Sequence, residues 1–502
     1  MFRKTGYAAL LLLFAMAFAA CSGSKEHGSA GTTPSDNGEQ STNEQGEALE
    51  LPDVQYNDIV RVYVKGGDYA DEIYPDALDA ASDDISNAVV KRNDTVGELF
   101  GVEFEYTQSL NAFNTDALTV LRAGEDVYDI MQCHGRSAYS YAGEGLVVDW
   151  NTLPYVSLEK SWWNVNAREN LTVCGVLYAM TGELGYSTLG AGTGTIFNKT
   201  LFRNEGIDPQ TVYDMVDNGE WTFDALYTLS QELTRDLNGD GSVEVGSDQI
   251  GYATTWWGGP IQILYSTGST IISFSQEGVP EFGFYNAANI DLFDRYFRLI
   301  RSENGYCYNE DSNSNMRRAF SQGHISMMTT SMSALGTSFF IDSEVDFGVL
   351  PFPKYNEEVD RYYSVVDAAS ALYTVPNTTS AERREMIGVV LEALAYYGQK
   401  ELMPVYYDRL LTSRYLRDEI SSRMLDYVYE GCTYDLGYYN ADEFGSSFAS
   451  IGYELVKNEN MSFTLYYSQN ITAMQQRLEQ AYSKYAAMAA EQSGEAADPG
   501  AE

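Results

Sequence analysis

The sequence predicts an α/β chain built on parallel, doubly wound sheets, and three observations carry that reading. Residues 58–133 alternate strand, helix, strand, helix, strand; a second αβ stretch begins at Gly192; and 44% of the 502 residues are hydrophobic, enough to bury a large core in two or three domains.

The elements follow in order. In "DIVRVYVKGG" Val60, Val62 and Val64 alternate with polar neighbours until two glycines end the run, so a strand feeds a loop. "ISNAVVKRNDTVGELF" reads as a helix, "GVEFEY" as a strand with Val102, Phe104 and Tyr106 on one face, "TDALTVLRAG" as a helix and "VYDIMQC" as a strand. Further on, "GTGTIFNKTLFRNEGI" and "GEWTFDALYTLSQELTRDLNGDG" start the second αβ region, and "DQIGYAT" is strand-like. "MRRAFSQGHISMMTTSMSALG" reads as helix, glycine break and strand, while "VDFGVLPFPKY" and "SVVDAASALYTVP" read as buried strands. From Ser380 the pattern turns helical, with core stripes at Ile387, Val390, Leu391 and Leu394 and again at Met474, Leu478, Tyr482 and Tyr485.

Charge narrows the function. Lys plus Arg number 31 against 72 Asp plus Glu, a net charge of -41, which repels phosphate backbones and argues against a nucleic-acid partner. A neutral ligand feels little of that field. The amino terminus has Arg3 and Lys4, an apolar run over Ala8–Ala20 too short to span a bilayer, and small residues before Cys21. Residues 1–20 therefore read as a signal peptide and Cys21 as a lipidated, lipobox-like cysteine, although Phe18 stands where leucine is usual. Residues 21–55, poor in anything to bury, read as a disordered tether, and 491–502 as a frayed acidic tail. Cys133, Cys174, Cys307 and Cys432 form no CxxC pair; two bridges and four buried thiols both fit.

No GxSxG elbow, GxxxxGK[ST] loop or HExxH pair occurs, and only three histidines are present. The expectation is a protein without catalytic residues. The loop "DLNGDGSVEVG" offers Asp236, Asn238, Asp240 and Asp248 as oxygen donors, but Ser247 stands where a calcium-binding EF-hand loop places its bidentate glutamate. A structural calcium site and a metal-free, Asx-braced turn both fit; a calcium switch does not.

"FNKTLF", "NGEWTFDAL", "DLNGDG…DQIGY", "FSQGHISMM" and "DFGVLPFPKY" occur in that order, followed by "YYDRLLTSRYLRDEISSRMLDYVYEGCTYDLGYY". Together they resemble the extracellular solute-binding lipoproteins of ABC importers, of the maltose-binding-protein type (family 1), and a gut-clostridial branch carrying "SWWN" and "DLNGDG". The resemblance covers residues 56–485. It implies a two-lobed, class II periplasmic-binding-protein-like fold, each lobe a doubly wound sheet flanked by helices, with a ligand cleft between. Lobe one would take residues 56–179 plus 329–373, and lobe two 180–328 plus 375–490.

It also implies a monomer, anchored on the extracellular face of the membrane through lipid alone, that captures a carbohydrate or oligosaccharide and passes it to ABC permease subunits with no cofactor required. A surface glycoside hydrolase or polysaccharide-binding accessory lipoprotein is the alternative; a peptide ligand, or a sensor kinase as partner, also stays open.

A sugar presents an apolar C–H face and a girdle of hydroxyls, so its site needs aromatic plates and planar hydrogen-bonding groups. In doubly wound sheets ligands bind beyond the carboxyl ends of strands, which favours Asp68 and Asp129. Trp256 and Trp257, between a strand and a Gly-Gly turn, suit plates, whereas Trp162 and Trp163 suit packing. Glu183 near the first implied crossing, Asp367 near the third, and Tyr69, Tyr186 and Tyr438, in loops where the cleft would open, complete the candidate ligand set. Each has a plainer role open to it: Asp129 a loop cap, Asp367 the end of a buried strand.

Overall fold

The computed structural model describes residues 43, 46–75, 84–275, 278–308, 313–411, 416, 419–445 and 451–493. The signal peptide, Cys21 and the last residues of the tail lie outside them. In a four-stranded sheet, β1 (Asp58–Val64) runs parallel to β2 (Val102–Gln108) on one side and to β3 (Ile130–His134) on the other. The strand Ala371–Thr374 closes the far edge antiparallel to β3, with Ala371 opposite His134. α1 (Asp84–Phe100) and α2 (Thr115–Arg122) make the crossovers. Val62, Tyr63 and Val64 are all buried because helices cover both faces, as a parallel sheet requires.

The second sheet has five strands. β4 (Thr193–Asn198) lies antiparallel between the strands Phe347–Pro351 and Ile325–Ser331; β5 (Ile250–Thr255) runs parallel to Ile325–Ser331 and to Gly305–Tyr308. Local chemistry sets the helix starts around it. The Asn198 side chain accepts from the Thr200 and Leu201 amides, and Thr222 caps the helix Phe223–Glu232.

The lobe boundaries differ from those expected. Residues 329–331 and 347–351, assigned to lobe one, hydrogen-bond to β4 in the second sheet, with Thr329 and Leu350 both opposite Thr195. A buried strand carries no pattern that says which sheet it joins; its partner does. Conversely, the helix Ala381–Tyr397, assigned to lobe two, packs on α1. Its residues 386–396 are buried all round, so amphipathicity gives no face to orient it by.

Part of the expected tether belongs to the body: Leu49, Leu51 and Val54 pack against the core. The expected tail is likewise helical through Ser493, in the helix Phe463–Ser493.

The sheets are joined by crossing segments. Met180 and Tyr373 exchange backbone hydrogen bonds of 3.0 and 2.8 Å, and Gly192 bridges Val366. The two-residue strand Ser364–Val365 pairs with Cys432–Thr433, after which the helix Leu436–Tyr439 packs on α3 (Gly135–Gly143). Cys133, Cys174, Cys307 and Cys432 are free thiols, and burial pushes those of Cys133, Cys307 and Cys432 up to about 12.

Candidate ligand cleft

The carboxyl ends of β1, β5 and the strand Ile325–Ser331 converge on one cleft of about 590 Å³ between the sheets. Its first wall is the loop after β1. Gly66 lies so close to the Asn111 backbone that a Cβ there would meet it at 2.9 Å, and Gly67 takes φ +75°. Tyr69 is then held in the left-handed region at φ 66°, unusual for an aromatic residue and a cost the surroundings must impose. The tight turn Ala70–Glu72 follows, so Asp68, Tyr69 and Asp71 all line the cleft.

Tyr186, from the first crossing, stands edge-on to Tyr69 at 6.1 Å and stacks on Tyr406 at 4.3 Å. Its hydroxyl donates to Asp71 Oδ1 at 2.6 Å. Beneath them Glu72 is fully buried and accepts from the Tyr186 and Ser187 amides at 3.0 and 2.9 Å and from the Tyr373 hydroxyl at 2.8 Å. One carboxylate therefore ties the β1 loop to the first crossing and the edge strand. Burial pushes its pKa up, and the Tyr373 and Ser187 bonds oppose that. Lys65, also buried, donates to the Ala369 carbonyl and lies 5.6 Å from the Tyr69 ring; burial lowers its pKa against the pull of Glu72, Asp68 and Asp367.

The opposite wall belongs to the second sheet. Trp257, in the turn after β5, lines it together with the hydroxyl-bearing Thr255, Thr330, Ser331, Ser333 and Thr337. Arg317 and Arg409 reach the same space. At the hinge Asp367 accepts from the Ala369 amide at 2.8 Å and from the Tyr438 hydroxyl at 2.9 Å, while the Arg136 guanidinium covers the Tyr438 ring at 5.2 Å.

Of the sequence-predicted residues, Asp68, Tyr69, Tyr186, Trp257 and Asp367 line the cleft together. Tyr438 stands behind it, holding Asp367. Asp129, Glu183 and Trp256 are not among the lining residues. Asp129 is a structural clamp: its carboxylate takes Arg61 and Arg383 at 2.6–3.0 Å, joining β1 to the helix Ala381–Tyr397. Glu183 accepts from the Tyr429 hydroxyl, and burial pushes its carboxyl up to about 7. Trp256 turns away from the lining, edge-on to Trp257 at 5.2 Å and to Tyr453 at 5.1 Å. Trp162 and Trp163 are core residues, as their context predicts.

Sequence reasoning missed Asp71, Glu72, Arg317, Tyr406 and Arg409. The first two sit in "YADE", three and four residues beyond Asp68, where a loop already singled out offered the signal. The other three lie on helices whose facing is set only by tertiary packing.

The Asp236 loop holds itself together. Asp236 accepts from the Gly239 and Gly241 amides at 2.6 and 2.8 Å, Asn238 from the Asp240 amide, and Asp240 from the Ser242 amide. Asp248, buried, accepts from the Leu237 and Glu244 amides at 2.9 and 2.8 Å. Among the described residues no three His, Cys, Asp or Glu side chains converge to hold a metal ion. These bonds brace the turn in the manner of Asx turns.

This architecture, paired α/β sheets with a cleft at the strand ends and crossing segments behind it, is that of a binding protein. The chain belongs to the bacterial extracellular solute-binding protein family, which it matches over residues 100–396. In fold it is similar to the maltose/maltodextrin-binding domain MalE from Bdellovibrio bacteriovorus bound to maltotriose, at TM-score 0.51 and 14% identity over 87% of this chain and 100% of that one. It is equally similar to UspC of M. tuberculosis, at TM-score 0.51 and 18% identity over 86% and 100%. No curated protein sequence matches it.

Proposed function

We propose that the chain captures a carbohydrate outside the cell and delivers it to the permease subunits of an ABC importer. The observation that carries this reading is the composition of the cleft: Tyr69, Tyr186, Tyr406 and Trp257 supply faces for sugar rings, and a wall of threonine and serine hydroxyls with Asp68, Arg317 and Arg409 supplies partners for the girdle. The maltotriose held by the similarly folded MalE domain supports it.

No bond need be made or broken. Ligand in the cleft contacts the β1 loop on one side and the strand ends of the second sheet on the other, so binding favours the closed arrangement over an open one. The permease reads that shape. In this reading the chain is a monomer, held at the membrane by lipid on Cys21.

Calorimetric titration of the full chain with a broad panel of neutral and acidic glycans, paired with small-angle scattering, tests it. The expected result is one-to-one heat from at least one glycan and compaction on binding. Silence across the panel defeats the carbohydrate reading, and release of reducing sugar by the purified chain would favour the hydrolase alternative. Radiolabelled palmitate should mark the chain in cells and fail to mark Cys21→Ser.

A further inference from the structure

Building on the carbohydrate reading, we infer that the ligand is an acidic saccharide, carrying a uronic-type carboxylate that Arg317 receives. Arg317 sits on the helix Asn313–Ser321 and lines the cleft. One terminal nitrogen donates to Thr330 Oγ1 at a long 3.3 Å, and its Nε is buried with no hydrogen-bond partner. Among the described residues no aspartate or glutamate forms an ion pair with it, in a chain where acids outnumber bases 72 to 31. A half-buried guanidinium with so few partners is costly to hold, and a ligand carboxylate meeting its terminal nitrogens would relieve it.

Arg409, on the helix Met403–Leu410, lines the same cleft beside Gly336 and likewise has no ion pair among the described residues. The carboxylates opposite are differently placed. Asp71 already accepts from Tyr186, and Asp367 from Tyr438 and the Ala369 amide. Two of the three lining aspartates are thus used within the protein, and the third, Asp68, acts on Arg317 through its charge without forming an ion pair with it.

The lining holds three aspartates and two arginines, with Lys65 and Glu72 both buried behind Tyr69. Charges stand near parity there, against an excess of more than two acids per base over the whole chain. A neutral sugar answers such donors one hydroxyl at a time. A carboxylate presents two coplanar oxygens that match the guanidinium fork. The hydroxyl wall of Thr255, Ser331, Ser333 and Thr337 remains for the rest of the ring.

The test titrates the full chain with matched pairs, trigalacturonate against its methyl ester and glucuronate-capped xylotriose against xylotriose, beside the neutral glycan panel. In at least one pair the acid should bind ten-fold or more tighter than its neutral counterpart, and 0.5 M salt should narrow the gap. Arg317→Gln should abolish the preference and Arg409→Gln should reduce it. Binding confined to neutral sugars, or neutral members binding as tightly as acids, overturns the inference and leaves the carbohydrate reading standing. No binding by any acidic or neutral glycan overturns both. If Arg317→Gln fails to melt cooperatively, Arg317→Lys, which keeps the charge and loses the fork, decides: a lost acid preference supports the assignment and an unchanged preference overturns it.

Discussion

Tyr186 and Tyr406 stack with ring centroids 4.3 Å apart and planes only 18° from parallel, although 220 positions of sequence separate them. The stack joins the first crossing to a helix that packs against α1, and it forms a continuous aromatic floor with Tyr69. Tyr406→Ala removes one plate and leaves Tyr186 unsupported. Affinity for the ligand should fall about ten-fold or more, the aromatic pair alone contributing on the order of 1 kcal/mol. Tyr406→Phe, which keeps the stack, should bind nearly as wild type. Calorimetry on both variants checks it, and equal losses would assign the effect to the hydroxyl instead.

The two adjacent tryptophans should separate by assay. Trp257 lines the cleft, whereas Trp256 packs on Trp257 and Tyr453. Trp257→Ala should lower affinity by roughly 2 kcal/mol, about thirty-fold, with little change in melting temperature. Trp256→Ala should lower the melting temperature by a few degrees, since it strips a half-buried ring from Trp257 and Tyr453. The reverse pattern would exchange their roles.

How far the sequence could be read is clear from these residues. The β1–α1–β2–α2–β3 unit was legible because each strand and helix has its own period and its own punctuation, Asp68 followed from the rule that ligands gather beyond strand ends, and Trp257 from the need of a sugar for an aromatic plate, which did not separate it from Trp256. Asp367 rested on the implied crossings, which the backbone pairs Met180–Tyr373 and Gly192–Val366 now define, and Tyr69 and Tyr186 on the loops expected to open onto the cleft. What stayed hidden depends on long-range partners. Strand Phe347–Pro351 is equally apolar in either lobe, Arg317 on its helix looks like any surface arginine, and Asp129 misled because a strand-end carboxylate serves a clamp as well as a ligand.

Asp129 should therefore affect stability and not binding. Its carboxylate is fully buried between two arginines, and although burial alone would raise its pKa, the bonds from Arg61 and Arg383 hold it below the usual carboxylate value. A folded-state pKa below the unfolded one means the contribution is complete above about pH 4 and is lost as pH falls through the folded value. Asp129→Ala strands both guanidinium groups and should cost about 3 kcal/mol at pH 7. Urea unfolding measures it. Ligand affinity at neutral pH should be unchanged, and an affinity loss without a stability loss would return Asp129 to the ligand set.

Glu392 should give the opposite pH dependence. It is buried on the helix Ala381–Tyr397 and accepts from Trp163 Nε1 at 2.8 Å and from the Ser157 amide at 3.1 Å. Burial pushes its carboxyl from an ordinary 4.5 up to about 7, outweighing those two bonds. The folded state then holds a proton that the unfolded state has released, so its contribution is complete below about pH 4.5 and declines as pH rises to 7. Glu392→Gln keeps an acceptor for both donors and carries no charge. It should flatten that decline and, at pH 8, exceed wild type by up to about 3 kcal/mol. Glu183, pushed up to about 7 as well, remains in the variant and should preserve part of the slope. Melting temperatures of the two proteins at pH 5 and pH 8 decide the matter, because a parallel fall in both would mean that Glu392 is already ionised in the folded chain.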